Sequence, residues 1–319
     1  MRFGVFLLAG RFPGQTDAEA LGRAADAVGW AEEAGFDDVW IAEHHFMSYG
    51  VCPSAITFAA HALARTSRIT VGTAVAVLST AHPVQVAEQA RMLSAMSGGR
   101  FHLGVGRGGP WRDLEVFGTG LYRWERGFGD GMRLLMDSLT KDTVGSTGRF
   151  AFRDVPMVPQ APPPPVTVAC TSLGTVELAA ELGLPMLLGM DLSPARKAEM
   201  ISHYVAAGGT ATGHVGAVLA HVGPAEEVRA TMPGWLGPGL AGYVTVDARP
   251  RRKVDPVAYM EKLVSTHPVG SPELCVRRLR EAAEVCGHLI LMVDPTGQPA
   301  VTRRTIQRLG AEVLPRLRE

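Results

Sequence analysis

The chain has 319 residues, 46% of them hydrophobic and 19% charged, and its 31 basic and 31 acidic side chains cancel. Balanced charge gives no electrostatic reason to expect a nucleic acid or an anionic membrane as partner. No apolar run reaches the roughly eighteen residues that a spanning helix needs. The opening MRFGVFLLAG resembles a short signal peptide, but Arg11, Gln15 and Asp17 follow at once without a small-residue cleavage site, so it is read as a first strand. Cys52, Cys170, Cys275 and Cys286 are scattered with no C-x-x-C pair. That pattern suits neither a disulfide framework nor a zinc site, and a reducing, cytoplasmic setting is expected.

Short apolar runs alternate with amphipathic ones along the chain. Phe3 to Leu8 predicts a strand. Ala18 to Ala34 predicts a helix, with Leu21, Ala24, Ala25, Val28 and Ala31 spaced three and four apart and Gly35 as its stop. Asp38 to Ala42 is the second strand, followed by a helix from Ser54, its cap, to Arg65. Ile69 to Leu78 is the third strand, and the helix after it, Pro83 to Met96, is opened by proline. Phe101 to Gly106 gives the fourth strand and Trp124 to Thr140 a further helix. From Gly145 to Pro165 the chain is rich in Gly and Pro, which reads as an excursion.

Alternation resumes with a strand at Val166 to Ala169 and a helix at Thr175 to Leu182. A strand at Met186 to Leu188 and a helix at Pro194 to Ala207 come next. Val215 to Val222 is the seventh strand, His288 to Val293 the eighth, and a closing helix runs to about Leu317. Eight strands interleaved with helices predict an α/β chain folded as one (β/α)8 TIM barrel over 1–319, with insertions after strands 4 and 7. The Gly-, Pro- and Arg-rich stretch from Met232 to Pro268 falls where a mobile lid is expected. Arg249, Arg251, Arg252 and Lys253 within it read as a solvated charge run.

Barrels of this kind carry their chemistry where strands end. Glu43-His44-His45 follows strand two, and imidazole is the side chain that titrates near neutral pH. Strand alternation would let one imidazole face the mouth while its neighbour packs sideways. The competing reading is a pair of ordinary hydrogen-bonded histidines, or a metal site. Adjacent histidines make poor co-ligands, and of the other strand ends only Asp191 would suit a metal, so none is expected.

After strand four, Arg107 stands among Gly106, Gly108 and Gly109, where glycines admit a ligand and Arg offers a bidentate anion grip. A turn with a solvated Arg is the plainer alternative. Thr171-Ser172-Leu173-Gly174-Thr175, after strand five and opening a helix, favours the first reading, because hydroxyls and free amides at a helix N-terminus bind phosphate. Phe6, Trp111 and Trp235 are candidate apolar walls, though each also suits simple packing.

Seven motifs carry a resemblance in order. They are Phe3-Gly4-Val5-Phe6-Leu7-Leu8, Glu43-His44-His45-Phe46, Val71-Gly72-Thr73-Ala74, Thr80-Ala81-His82-Pro83-Val84, Met96-Ser97-Gly98-Gly99-Arg100-Phe101, Gly183-Leu184-Pro185-Met186 and Pro268-Val269-Gly270-Ser271-Pro272. Together they resemble the bacterial luciferase-like flavin monooxygenase family, and its luciferase α-subunit in particular, over nearly the whole chain.

The resemblance implies a barrel that binds reduced FMN (FMNH2) non-covalently and reacts with O2 through a flavin 4a-hydroperoxide to oxidise a fairly apolar small-molecule substrate. By motif, His44 matches the family's active-site histidine, a proton donor or acceptor. Arg107, Thr171, Ser172 and Thr175 match contacts to the FMN phosphate, and Glu43 falls near the ring edge. The Ala74-Val75 bond matches a non-proline cis peptide under the flavin. No second nucleotide fingerprint is visible, so a separate flavin reductase is expected to supply FMNH2.

A homodimer is implied, through helices near Ser54 to Arg65 and Pro83 to Met96. Within the same superfamily the alternative is a deazaflavin-dependent oxidoreductase; outside it, a non-catalytic flavin-binding protein. Two departures bear on substrate and light emission. Gly106 stands where the luciferase α-subunit has a reactive cysteine, and the segment after strand seven is shorter. Thr171 also replaces an acidic residue beside the phosphate, which eases anion binding.

Overall fold

Eight parallel strands close on themselves in the computed structural model, which describes residues 1–246 and 254–318. They are β1 (Arg2–Leu7), β2 (Asp38–Ile41), β3 (Thr70–Thr73, continued by Ala76–Val77), β4 (Phe101–Gly106), β5 (Val166–Ala169), β6 (Met186–Leu188), β7 (Val215–Leu219) and β8 (His288–Met292). Each pairs with the next, and β8 with β1, so no edge remains unpaired in the barrel. Val5 and Trp40, on β1 and β2, are both fully buried. A barrel strand has the interior on one side and a helix on the other, so it reads as a continuous apolar run.

The intervening helices start where the sequence carries their caps. Thr16 and Glu19 form a reciprocal box ahead of Asp17–Glu33, and Ser54 accepts from the Thr57 amide ahead of Ala55–Arg65. Pro83–Met96 keeps its predicted bounds. The four cysteines are buried and unpaired. Among the described residues no helix is long and apolar enough to cross a membrane.

The N-terminal end of the barrel is plugged by a polar network. Asp38 has no exposed surface and accepts hydrogen bonds from Trp40 Nε1 (2.6 Å), His288 Nε2 (3.0 Å) and Arg2 (3.0 Å). Burial alone would raise its pKa, but His288, Arg2 and Trp40 outweigh that and hold it below the usual carboxylate value. The ring of His102 lies 4.7 Å from that of Trp40, and its Nε2 sits 2.7 Å from the Thr167 hydroxyl.

Several elements depart from expectation. Strand three is interrupted at Ala74-Val75, a cis peptide, and resumes beside Val105 and Gly106. Strand seven stops at Leu219; His221–Val222 leaves the barrel to pair with Val269–Gly270. Trp124 belongs to a short helix, Gly120–Glu125, and the barrel helix begins only at Gly127. The Gly- and Pro-rich excursion contains an antiparallel hairpin, Thr143–Ser146 with Phe152–Pro156.

The stretch read as a lid is largely helical. Ala225–Ala241 includes Pro233 and Pro238, and Pro256–Thr266 is capped by Asp255. The prolines misled because burial of Met232, Trp235 and Leu236 outweighs the lost backbone bonds. The charge run from Arg249 to Lys253 lies outside the described residues.

Candidate active site

The C-terminal ends of the strands surround a cavity of about 640 Å³. Glu43, His44, Ala74, Val75, Arg107 and Thr171 all line it. Beside it lies a second cavity of about 390 Å³, lined by Ser172, Thr175 and again Arg107. Residues 43, 74–75, 107 and 171–175, far apart in the chain, therefore converge on one rim.

His44 and His45 both line the main cavity, which corrects the expectation that one would turn away. β2 ends at Ile41, so by residue 44 the backbone is no longer pleated and alternation has lapsed. His44 Nδ1 is buried with no hydrogen-bond partner, packed against Gly50, where a Cβ would stand 2.5 Å from that nitrogen. Tyr49 meets the ring edge-on at 5.1 Å. Burial, then the charge of His45, pushes the His44 pKa down to about 4, so at neutral pH the imidazole is uncharged and able to accept a proton. His45 Nε2 stands 3.6 Å from Glu43 Oε1, beyond hydrogen-bond reach.

Glu43 is a clamp. Its Oε1 accepts from the Val77 amide at 3.0 Å and its Oε2 from the Ala55 amide at 2.9 Å. One carboxylate thereby ties the resumed half of β3 to the start of a helix and holds the Ala74-Val75 segment in place. Val75 also explains a glycine. A Cβ on Gly106 would lie 2.4 Å from Val75 Cγ2, so a cysteine could not stand there unless Val75 moved.

Arg107 is half-buried, and burial lowers its pKa. Its guanidinium lies 4.4 Å over the ring of Trp124, whose Nε1 donates to the Gly108 carbonyl at 3.0 Å. Among the described residues no carboxylate pairs with it, which leaves the guanidinium able to grip an anion. Ser172 begins the helix Leu173–Glu181 without capping it, and its hydroxyl lies 2.9 Å from that of Thr175. The first-turn amides thus keep no side-chain partner. Glu177 and Glu181 line the same cavity but are engaged by His203 and Arg133.

Of the proposed walls, Phe6 and Trp111 line the main cavity, whereas Trp235 is buried between Phe12 and Tyr49. Sequence reasoning missed Tyr49, Tyr243, Tyr259 and Trp124, which also line it. Two of these tyrosines fall in the stretch read as a lid, where only the helices show which way they face. Asp191 lines the cavity as well, and among the described residues no three His, Cys, Asp or Glu side chains gather as a metal site requires.

A profile of the luciferase-like monooxygenases matches residues 1–288. The chain belongs to the luciferase-like monooxygenase family. It is 35% identical over 208 residues to the alkanal monooxygenase alpha chain of Photorhabdus laumondii, a match covering 64% of this chain and 58% of that one. Among solved structures it resembles the monooxygenase RslO1 from Streptomyces bottropensis, with a TM-score of 0.82 at 22% identity over 99% of this chain and 100% of that one. It also resembles the oxygenating constituent of 3,6-diketocamphane monooxygenase of Pseudomonas putida in complex with FMN, with a TM-score of 0.78 at 18% identity over 99% and 98% of the two chains. At those identities the two structures speak to the fold alone. They set this family member on the same closed barrel that its strand pairing already displays.

Proposed function

We propose that this family member is a single-domain, FMN-dependent monooxygenase that uses O2 and FMNH2 delivered by a separate reductase to oxidise a medium-sized, fairly apolar organic substrate. The observation that carries the reading is the pair of adjoining cavities. One is largely apolar and holds His44; the other joins Ser172 and Thr175 to Arg107, which no carboxylate pairs among the described residues, and Arg107 borders both. A flat ring joined to a phosphate by a short chain needs that combination. The residues present fit FMN, because the half-buried guanidinium has no carboxylate partner among the described residues and the helix start at Ser172 carries no side-chain cap.

In this assignment Arg107, Thr171, Ser172 and Thr175 hold the phosphate, and Ala74 and Val75 underlie the ring. Glu43 acts on the ring through the backbone it clamps. Bound reduced FMN would supply the electrons that activate O2. His44, neutral because it is buried, accepts a proton at its accessible ring edge and returns it as the reaction closes. Phe6, Trp111 and Leu240 exclude water from the reacting centre. We assign the active form to a homodimer contacting through the helices Ala55–Arg65 and Pro83–Met96; Met92 and Met96 stand exposed on the second.

Fluorescence titration tests the assignment. FMN should bind saturably, and Arg107→Ala should weaken it about tenfold or more, the loss of a charge-assisted hydrogen bond. Equal binding to wild type and variant would overturn the phosphate assignment. Tight binding of a deazaflavin with none of FMN would move the chain to the hydride-transfer alternative.

A further inference from the structure

The main cavity carries a second set of polar groups that the reading above leaves unused. Tyr49 and Tyr259 both line it, and among the described residues neither phenol oxygen has a hydrogen-bond partner. The Asp191 carboxylate, three residues past β6, stands solvent-exposed at the rim of the cavity, with no hydrogen bond or ion pair among the described residues; Lys262 reaches only its backbone carbonyl. A few polar atoms placed among apolar walls fix a ligand's orientation.

The two phenols are carried on packed elements. The Tyr49 ring lies flat on Trp235 at 4.9 Å and 4°, and Trp235 stacks on Phe12 at 5.1 Å. Arg23 covers the other end of that stack, 5.6 Å from the Phe12 ring, and is itself held by Asp294 at 2.6 Å. Tyr259 rides on the capped helix Pro256–Thr266. Burial, then the neighbouring phenols and Asp191, raises the Tyr49 pKa well above its usual value; burial, then Asp191 and Tyr243, does the same for Tyr259. Both therefore keep their protons and can donate as well as accept. Around them stand Phe6, Met190, Leu240 and the Trp111–Tyr243 pair, whose rings are 5.0 Å apart.

Resting on the monooxygenase reading, we propose that the substrate is a flat ring system bearing a hydroxyl, oriented by the Tyr49 and Tyr259 hydroxyls and the Asp191 carboxylate. A ring hydroxyl answers this set fully, since it donates to the carboxylate while accepting from a phenol. A straight-chain alkanal has only an accepting oxygen, so it makes no bond to Asp191, which stays hydrated, and it gains no ring–ring contact with the aromatic walls. A site built for a hydroxyl discriminates strongly against an analogue that lacks one.

Equilibrium dialysis of the FMN-loaded protein against 2-naphthol, naphthalene and decanal tests this. 2-Naphthol should bind about tenfold or more tightly than naphthalene, the worth of a good hydrogen bond, and more tightly than decanal. That ratio should shrink in Tyr49→Phe and in Tyr259→Phe and vanish in the double variant, while FMN affinity stays as in wild type. Each change removes one oxygen, and thermal melting checks that the variants fold.

Equal binding of naphthol and naphthalene, preference for decanal, an undiminished ratio in the double variant, or loss of FMN affinity in it would overturn the proposal. Wild-type protein that binds no FMN would instead defeat the flavin reading, and the naphthol ratio measured without cofactor would still decide this one.

Discussion

The two ends of the barrel handle buried polar groups in opposite ways. At the N-terminal end Asp38 is fully buried and fully answered, with Trp40, His288 and Arg2 each donating to it. At the C-terminal end His44 Nδ1 and His45 Nε2 are buried without partners, and Arg107 has no carboxylate among the described residues. A satisfied buried network contributes to a unique fold, whereas an unsatisfied one costs stability and persists where a ligand or a reacting group completes it. The plug therefore serves stability, and the open groups of the mouth support the proposed active site there, the division expected of this architecture.

Breaking the plug should produce the largest effect. Asp38→Ala strands the buried Trp40 and His288 donors, whereas exposed Arg2 turns to water, and should destabilise the fold by about 3 kcal/mol, read as a lower urea midpoint. FMN affinity of the molecules that remain folded should not change. An unaltered midpoint would dissolve the distinction between the two ends.

The mouth should respond in the reverse sense. His44→Gln should lower turnover about a hundredfold while leaving the melting temperature within a degree or two of wild type, since it removes a side chain whose Nδ1 has no partner. A large drop in melting temperature would return His44 to the class of packing residues.

Acid should sharpen the contrast by a smaller margin. Burial pushes His44, His102 and His267 each down to about 4, against an ordinary value of 6.5. The unfolded chain therefore binds more protons between those two values, and stability present above pH 6.5 is lost as pH falls toward 4. His102 is packed against the plug: burial lowers its pKa, Asp38 opposes that, and His288 and Arg2 add to it. His102→Asn should flatten part of the decline in melting temperature between pH 6.5 and 4. A slope unchanged from wild type would place the titration elsewhere.

Much of this was legible along the chain, because each signal was local. The bounds of Pro83–Met96, Phe101–Gly106 and Val166–Ala169 follow from an opening proline and from apolar runs flanked by polar residues. Ser54 announced its helix by its own side chain. The residue types at strand ends marked Glu43, His44, Arg107 and the 171–175 turn for the same reason.

What the sequence could not decide was orientation and partnership. That His44 and His45 both face the cavity depends on where β2 stops. That the Glu43 carboxylate is spent on Val77 and Ala55 depends on amides more than ten residues away. The helix Ala225–Ala241 survives two prolines through the burial of its Trp235 face, and that helix together with Pro256–Thr266 brings Tyr243 and Tyr259 to the mouth. Local propensity acts over a few residues, whereas burial and unanswered hydrogen bonds exist only once distant segments have met.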